Sequence, residues 1–306
     1  VDDLSNSKLN VFDKIKKITG QNPNLEIKDL KNKSEVKKLF SDYRFDGIIH
    51  FAAHKSVNES VNFPEKYYKN NIGSLENILE NIDEKMHFIF SSSCTVYGQA
   101  DKMPITEDFP IKKSESPYGE TKQICESILK NFCDNNPNFN NITLRYFNPI
   151  GAHSSGLIGE LPLGKPENLV PFLTQTAIGK RHQLIVFGDD YNTPDGTCIR
   201  DYIHIEDLAD VHVSCLEYSI QKKNKKNYEF YNVGTGEGLS VLELINLFEK
   251  VNNVKVNYKI GKRRKGDVII AFADVSKITQ NIGWVCKHSV EDALKSSWVW
   301  EKNLRD

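Results

Sequence analysis

A chain of 306 residues exceeds what one hydrophobic core usually fills, so a large domain with a smaller companion is expected. Acids and bases nearly cancel, at a formal net charge of −1, which argues against a broad nucleic-acid footprint and points to small molecules or protein as partners. Cys94, Cys125, Cys133, Cys198, Cys215 and Cys286 show neither C-x-x-C spacing nor adjacent paired histidines, so no metal site and no disulfide framework is indicated. A reducing, cytoplasmic compartment fits, and no apolar run approaches the roughly 18 residues of a membrane span.

Short apolar runs alternate with stretches of helical period through the first half. Leu25 to Leu30 is predicted as a short strand, and Ser34 to Asp42 as a helix with Val36, Leu39 and Phe40 on one face. Phe45 to Ala53 reads as a buried strand, Pro64 to Ile82 as helical, Phe88 to Ser93 as a strand, Ser116 to Phe132 as a helix and Ile142 to Tyr146 as a strand. This is the pattern of a doubly wound α/β fold, a parallel sheet covered by helices. After Asn148 the texture loosens, with Gly151, Gly156, Gly159, Pro162, Gly164 and Pro166 marking a domain boundary. Leu169 to Ile178 is predicted helical, Leu184 to Phe187 a strand, Ile205 to Glu217 helical, Tyr228 to Val233 a strand, and Val241 to Val251 and Val290 to Trp300 helices. Lys222, Lys223, Lys225 and Lys226 form a solvated loop.

Glycine-rich turns that hold dinucleotides follow G-x-G-x-x-G. Gly234, Gly236 and Gly238 miss that spacing and lie late in the chain, so a tight structural turn is expected there. Before residue 90 the only glycines are Gly20, Gly47 and Gly73. In a dinucleotide-binding fold, Asp2 would sit at the end of the second strand, and a preceding βα unit of about 30 residues is expected upstream.

The chemistry is anchored on Tyr118 and Lys122, at i and i+4 of a helix whose start is signalled by Pro117 and by Ser114 or Ser116 as cap. A phenol titrates near 10, and bringing it to about 7 takes about 4 kcal/mol, which an adjacent ammonium and a nicotinamide cation are expected to supply. Ser93, at the C-terminal end of a parallel strand, lies where such sheets bind ligands. Ala52, Ala53 and Lys55 reach the same edge, and the small pair permits close approach of a flat cofactor.

The segments I-I-H-F-A-A-H-K-S-V-N-E-S, F-I-F-S-S-S-C-T-V-Y-G, S-P-Y-G-E-T-K, L-R-Y-F-N-P-I-G-A-H, I-R-D-Y-I-H-I-E-D-L-A and G-K-R-R-K-G-D resemble, in order, the UDP-glucose 4-epimerase family of the extended short-chain dehydrogenase/reductase superfamily. The likeness runs from Val1 nearly to Asp306. It implies an NAD-binding Rossmann-type domain over 1–148, to which 199–219 returns, and a smaller α/β sugar-nucleotide domain over 149–198 and 220–306.

By the resemblance, Tyr118 is the base, Lys122 tunes it and holds the nicotinamide ribose, and Ser93 shares the proton of O4. Asp2 and Asp3 hold the adenosine ribose, Asp29 and Leu30 the adenine, Phe51, Ala52, Lys55 and Asn70 the middle of NAD, and Tyr146 approaches its nicotinamide carboxamide, with Ala53 and Ser91 among the further residues at the cofactor. For the UDP-hexose, Asn148, Asn168 and Leu169 contact the diphosphate region, Phe187 the uracil, Arg200 and Arg264 the diphosphate, and Asp267 the uridine ribose. The implied reaction removes a proton from O4 and a hydride from C4, turns the 4-keto sugar about its diphosphate bonds and returns hydride to the other face. Ala271 falls where the family sets room for an N-acetyl group, so UDP-N-acetylglucosamine is an expected second substrate. A homodimer is implied as well.

Related 4,6-dehydratases carry acids where this chain has Cys94 and Thr95, so elimination lacks its catalysts here. Another sugar-nucleotide enzyme of the superfamily, an inactive fragment and a non-catalytic sugar-nucleotide-binding regulator are the alternative readings. The last gains from the missing glycine turn, because backbone N–H groups normally hold the pyrophosphate.

Overall fold

The computed structural model describes residues 1–264 and 267–304. Its central sheet has four parallel strands in the order Gly47–His50, His87–Ser93, Asn140–Tyr146 and Tyr228–Val233. The strand His87–Ser93 shows why both faces are covered. Phe88 and Phe90 point to one side, against Leu75, Ile78, Cys125, Leu129 and Phe139, while Ile89 points to the other, against Val211, Cys215 and Ile278. Alternate residues face opposite layers, so a strand buried on both reads as a continuous apolar run. Each such side chain contributes about 1.5–3 kcal/mol by leaving water. The result is a doubly wound Rossmann-type sheet, with Pro117–Asn135 and Gly73–Leu79 on one face and Ile205–Ile220 and Ser276–Ile282 on the other.

The predicted helix over 64–82 is one rod of three parts: α-helix Pro64–Tyr67, a π-helical turn Tyr68–Ile72 and α-helix Gly73–Leu79. The predicted strand Leu25 to Leu30 contracts to a single parallel bridge between Ile27 and Asp2. Helices Asn10–Thr19, Val57–Asn62 and Ser276–Ile282 were not expected. The first buries none of its residues, and the other two span only six and seven residues.

In the smaller layer, helices Leu169–Ala177, Val241–Asn252 and Val290–Asn303 bury Leu173, Leu244, Ile245, Phe248 and Leu294 beside the parallel pair Leu184–Phe187 and Tyr258–Gly261. The strand Tyr228–Val233, grouped with this unit in the sequence, pairs with Asn140–Tyr146 in the central sheet. The layers are tied by the buried carboxylate of Asp201, which accepts from Thr235 N (2.8 Å), Thr235 Oγ1 (2.7 Å), Gly236 N (3.1 Å) and Ala273 N (3.1 Å). A Cβ on Gly234 would lie 2.3 Å from Asp201 Oδ2, so the late glycine cluster is a structural turn wrapped on this acid.

Candidate active site

The C-terminal edge of the sheet brings the chemistry together. Ser116 caps the Pro117–Asn135 helix by accepting from Gly119 N at 3.2 Å, and Pro117 fills the first turn, where its missing N–H costs nothing. This sets Tyr118 and Lys122 one turn apart, facing the strand that ends in Ser93. The Lys122 ammonium donates to Ser91 O at 2.7 Å and lies 4.9 Å from the Phe90 ring centre and 6.0 Å from that of Tyr118. Ser93 Oγ accepts from Thr95 N (3.3 Å) and Thr95 Oγ1 (3.0 Å), which leaves its own proton to donate.

Burial governs the electrostatics. It raises the Tyr118 phenol well above its ordinary range, the neighbouring Tyr146 adds to the rise, and the Ser93 hydroxyl opposes it. Burial also draws Lys122 down to about 8. The expected lowering of the phenol by its lysine is therefore absent from the protein alone, because desolvation of the phenolate outweighs an ammonium that is itself poorly solvated.

A cleft of about 220 Å³ beside this edge is lined by Asp2, Asp3, Asp29, Leu30, Phe51, Ala52, Ala53 and Asn70, together with Lys28, His54 and Ser74. Asp2 Oδ1 accepts from Leu4 N and Ser7 Oγ, both at 2.7 Å, and Asp3 Oδ1 accepts from Ser5 N (2.9 Å) and Ser5 Oγ (2.7 Å). Each carboxylate is thus fixed through one oxygen, suiting it to a ribose diol, and the alanines leave room for a flat group. These residues fit a dinucleotide. Lys55 stands apart from the lining, exposed and 3.5 Å from Glu160. Ser91 and Tyr146 are placed with Lys122: Ser91 Oγ lies 3.1 Å from His212 Nε2, and burial raises Tyr146 to about 12.

On the smaller layer, Arg200 Nη1 donates to Ile199 O (2.8 Å) and Ile269 O (3.4 Å), and no carboxylate lies within ion-pair distance of it among the described residues. Arg264 pairs with Asp267 Oδ1 (3.0 and 2.5 Å), and its guanidinium lies 5.5 Å from the Phe187 ring centre. Arg264, Asp267 and Phe187 therefore form one group. Ala271 is the strand partner of Arg200, and Asn148 N donates to Asp201 O at 3.0 Å. Asn168 is the residue before the Leu169–Ala177 helix, and its Nδ2 donates to Glu160 Oε1 at 2.6 Å.

The family described as GDP-mannose 4,6 dehydratase matches residues 1–297. UDP-glucose 4-epimerase of Dictyostelium discoideum is 46% identical over 303 residues, covering 98% of this chain and 87% of that protein. The enzyme of that name from Bacillus subtilis is 43% identical, covering 99% and 89%. Among solved structures, UDP-glucose-4-epimerase from Stenotrophomonas maltophila, with bound NAD and formylated UDP-arabinopyranose, superposes with a TM-score of 0.94 at 40% identity, covering 99% of this chain and 90% of that one. UDP-glucose 4-epimerase from Bifidobacterium longum, in complex with NAD+ and UDP, gives 0.93 at 40% identity with the same coverage. The chain belongs to the UDP-glucose 4-epimerase family.

The loop after Ser93 agrees with epimerase rather than dehydratase chemistry. Burial pushes the Cys94 thiol up to about 12, and Thr95 commits its hydroxyl to Ser93, so neither offers a general acid for elimination. Three contributors to the epimerase site had escaped the sequence reading. Asn71 accepts from His54 N (2.8 Å) and donates to His54 O and Thr121 Oγ1 (both 3.0 Å), joining the cleft wall to the tyrosine helix. His212 packs its ring 4.5 Å from that of Phe51. Lys31 spans Asp29 (2.9 Å) and Asn70 (3.2 Å) at the cleft. An asparagine inside a helix and a histidine on an apolar helix face were the available signals.

Proposed function

We propose that this chain interconverts UDP-glucose and UDP-galactose, with NAD held in the cleft between Asp2 and Asn70. The reading rests above all on Tyr118, Lys122 and Ser93 meeting at the sheet edge that bounds that cleft. Asp2 and Asp3 hold the adenosine ribose, Phe51, Ala52, Ala53 and Asn70 line the path of the cofactor, and Lys122 and Tyr146 take its nicotinamide end. When bound, NAD supplies a hydride acceptor for C4 and a positive charge beside the phenol. Ser93 donates to the sugar's O4, and Tyr118 takes the proton from that oxygen and gives it back. Lys122 holds its ammonium against Ser91 O, where it favours the ionised phenol.

Arg200 and Arg264 grip the diphosphate, Phe187 covers the uracil and Asp267 takes the uridine ribose. Arginine presents a planar fork matched to phosphate oxygens. Anchoring the nonreacting nucleotide leaves the hexose free to turn between its two faces. That the strand partner of Arg200 is Ala271, with no more than a methyl group, supports an activity extending to UDP-N-acetylglucosamine.

The exposed side chains of Val61, on the helix Val57–Asn62, and of Phe63, between that helix and Pro64–Tyr67, both of which pack against the tyrosine helix, support a homodimer. Six unpaired cysteines support a cytoplasmic setting; no helix among the described residues is long and apolar enough to cross a membrane. The deciding experiment incubates the chain with NAD and UDP-galactose and follows UDP-glucose. Binding of both ligands without turnover would sink the catalytic reading in favour of a sugar-nucleotide-binding regulator.

A further inference from the structure

We propose that Glu126 is a positioning residue for the proton transfer at Tyr118, seating the tyrosine helix at a fixed depth and rotation on the strands that carry Ser93 and Tyr146. The inference rests on the catalytic reading above and adds to it how the reacting groups are held in register. In the central sheet Ser93 lies beside Tyr146, and one residue below that edge Ser92, Arg145 and Asn232 are register partners on three neighbouring strands. Two side chains tie this row together. Glu126 Oε1 accepts from Ser92 Oγ (2.5 Å) and Arg145 Nε (2.9 Å), and its Oε2 accepts from Arg145 Nη2 (2.5 Å). Tyr97 Oη accepts from Arg145 Nη1 (3.0 Å) and donates to Asn232 Oδ1 (2.7 Å).

The helix meets this edge of the sheet at two points. Near its start, a Cβ on Gly119 would lie 3.2 Å from Thr95 O, in the turn that follows Ser93. Seven residues on, which is two α-helical turns to within about 20°, the Glu126 carboxylate reaches Ser92. Lys122 lies between the two points, and its ammonium bonds Ser91 O, the carbonyl just before Ser92. Tyr118, Lys122 and Glu126 thus share one helix face at intervals of four residues, and the last of them sets the seat for the other two.

Packing alone would not define the seat so closely. Apolar contact is non-directional, whereas hydrogen bonds to a carboxylate fix both distance and angle. Ser92, Glu126, Arg145 and Asn232 are all buried, and a buried ion pair adds little stability because desolvation of its two charges offsets their attraction. What the pair supplies is geometry. A displacement of about 1 Å at a reacting centre can cost about 100-fold in rate.

The test uses the full chain with NAD and UDP-galactose. Ser92→Ala removes the tie to the strand and leaves Glu126 its bonds to the guanidinium. Its kcat should fall about 10-fold, while the urea midpoint, UDP affinity by calorimetry and NAD affinity by fluorescence stay level. Glu126→Gln should show the reverse pattern: its amide still bonds Ser92 through either end but leaves Arg145 without an anion, so the urea midpoint drops while kcat is kept. Ser219→Ala removes the partner of His87 at the opposite end of the same strand and should leave kcat unchanged. A merely structural role would make kcat follow stability across the three variants. Turnover by Ser92→Ala at the wild-type rate, or kcat values ranked by urea midpoint, would overturn the proposal, and if Glu126→Gln does not fold, Ser92→Ala decides alone. A wild-type chain that binds both ligands and turns nothing over sinks the catalytic reading and this role with it; wild-type turnover beside an unimpaired Ser92→Ala sinks the positioning role only.

Discussion

The Lys122 ammonium sits 6.0 Å from the Tyr118 ring centre yet spends its hydrogen bond on Ser91 O, so the two are neighbours without being an ion pair. Burial dominates both groups, raising the phenol and lowering the amine. The tyrosine is thus held in reserve as a neutral phenol until further positive charge arrives.

Tyr118→Phe keeps the ring and its packing and deletes only the proton carrier. Loss of positioned acid–base chemistry typically costs about 10²- to 10⁴-fold. We expect kcat to fall by that order while UDP affinity, measured by calorimetry, stays level. A parallel loss of UDP affinity would indicate that the phenol holds the nucleotide instead.

Lys122 gives a pH signature in stability. Its folded pKa of about 8 lies below the ordinary 10.5, so the unfolded chain binds the extra proton between those values. Burial of the charged amine costs most below pH 8, and the cost fades as pH rises to 10.5. Lys122→Met should therefore exceed the wild type by up to about 3 kcal/mol near pH 7, with the gap closing through that window in urea unfolding. A gap independent of pH would contradict the buried ammonium.

Behind the site, Glu126 accepts from Ser92 Oγ (2.5 Å) and from Arg145 Nε (2.9 Å) and Nη2 (2.5 Å), while Arg145 Nη1 donates to Tyr97 Oη at 3.0 Å. Glu126→Ala leaves a guanidinium buried without its anion, and a loss of about 3–5 kcal/mol is expected. Chemical denaturation would register it. Glu126→Ala paired with Arg145→Met should recover part of the loss.

Arg264→Ala and Arg200→Ala should each weaken UDP binding by roughly 10- to 100-fold, from the about 1.5–3 kcal/mol of a hydrogen bond to a charged group. NAD binding, read separately by fluorescence, should be unaffected. Equal loss of both ligands would mean that the arginines stabilise the fold and do not grip the diphosphate.

Ala271→Tyr should abolish turnover of UDP-N-acetylglucosamine and spare UDP-galactose. Coupled assays on the two substrates give the ratio directly. Because Ala271 is buried beside Val96, Tyr97 and Phe147, a stability cost of about 1–3 kcal/mol from overpacking is also expected.

Elements that carry their own period were legible in the sequence. Tyr228–Val233 and Leu184–Phe187 are strands over the residues expected, and the capped tyrosine helix starts at Pro117 as its signals require. The strand expected over 45–53 stops at His50, because Phe51, Ala52 and Ala53 leave the sheet to line the cleft. Pairs such as Ile199–Arg200 with Ile270–Ala271 are too short to show any period. Asn71 and His212 stayed hidden for another reason. Their contacts join segments far apart in the chain, which only the fold brings together.

The π-helical turn Tyr68–Ile72 places consecutive asparagines on different tasks, Asn70 in the cleft wall and Asn71 bridging His54 to Thr121. An α-helix advances about 100° per residue, so deleting one residue here would restore regular winding and rotate one half of the rod against the other by that angle. Chain length between residues 68 and 72 is consequently held more tightly than side-chain identity at its outer positions. Natural variation through this stretch should take the form of replacement, with insertions and deletions displaced to the loops on either side.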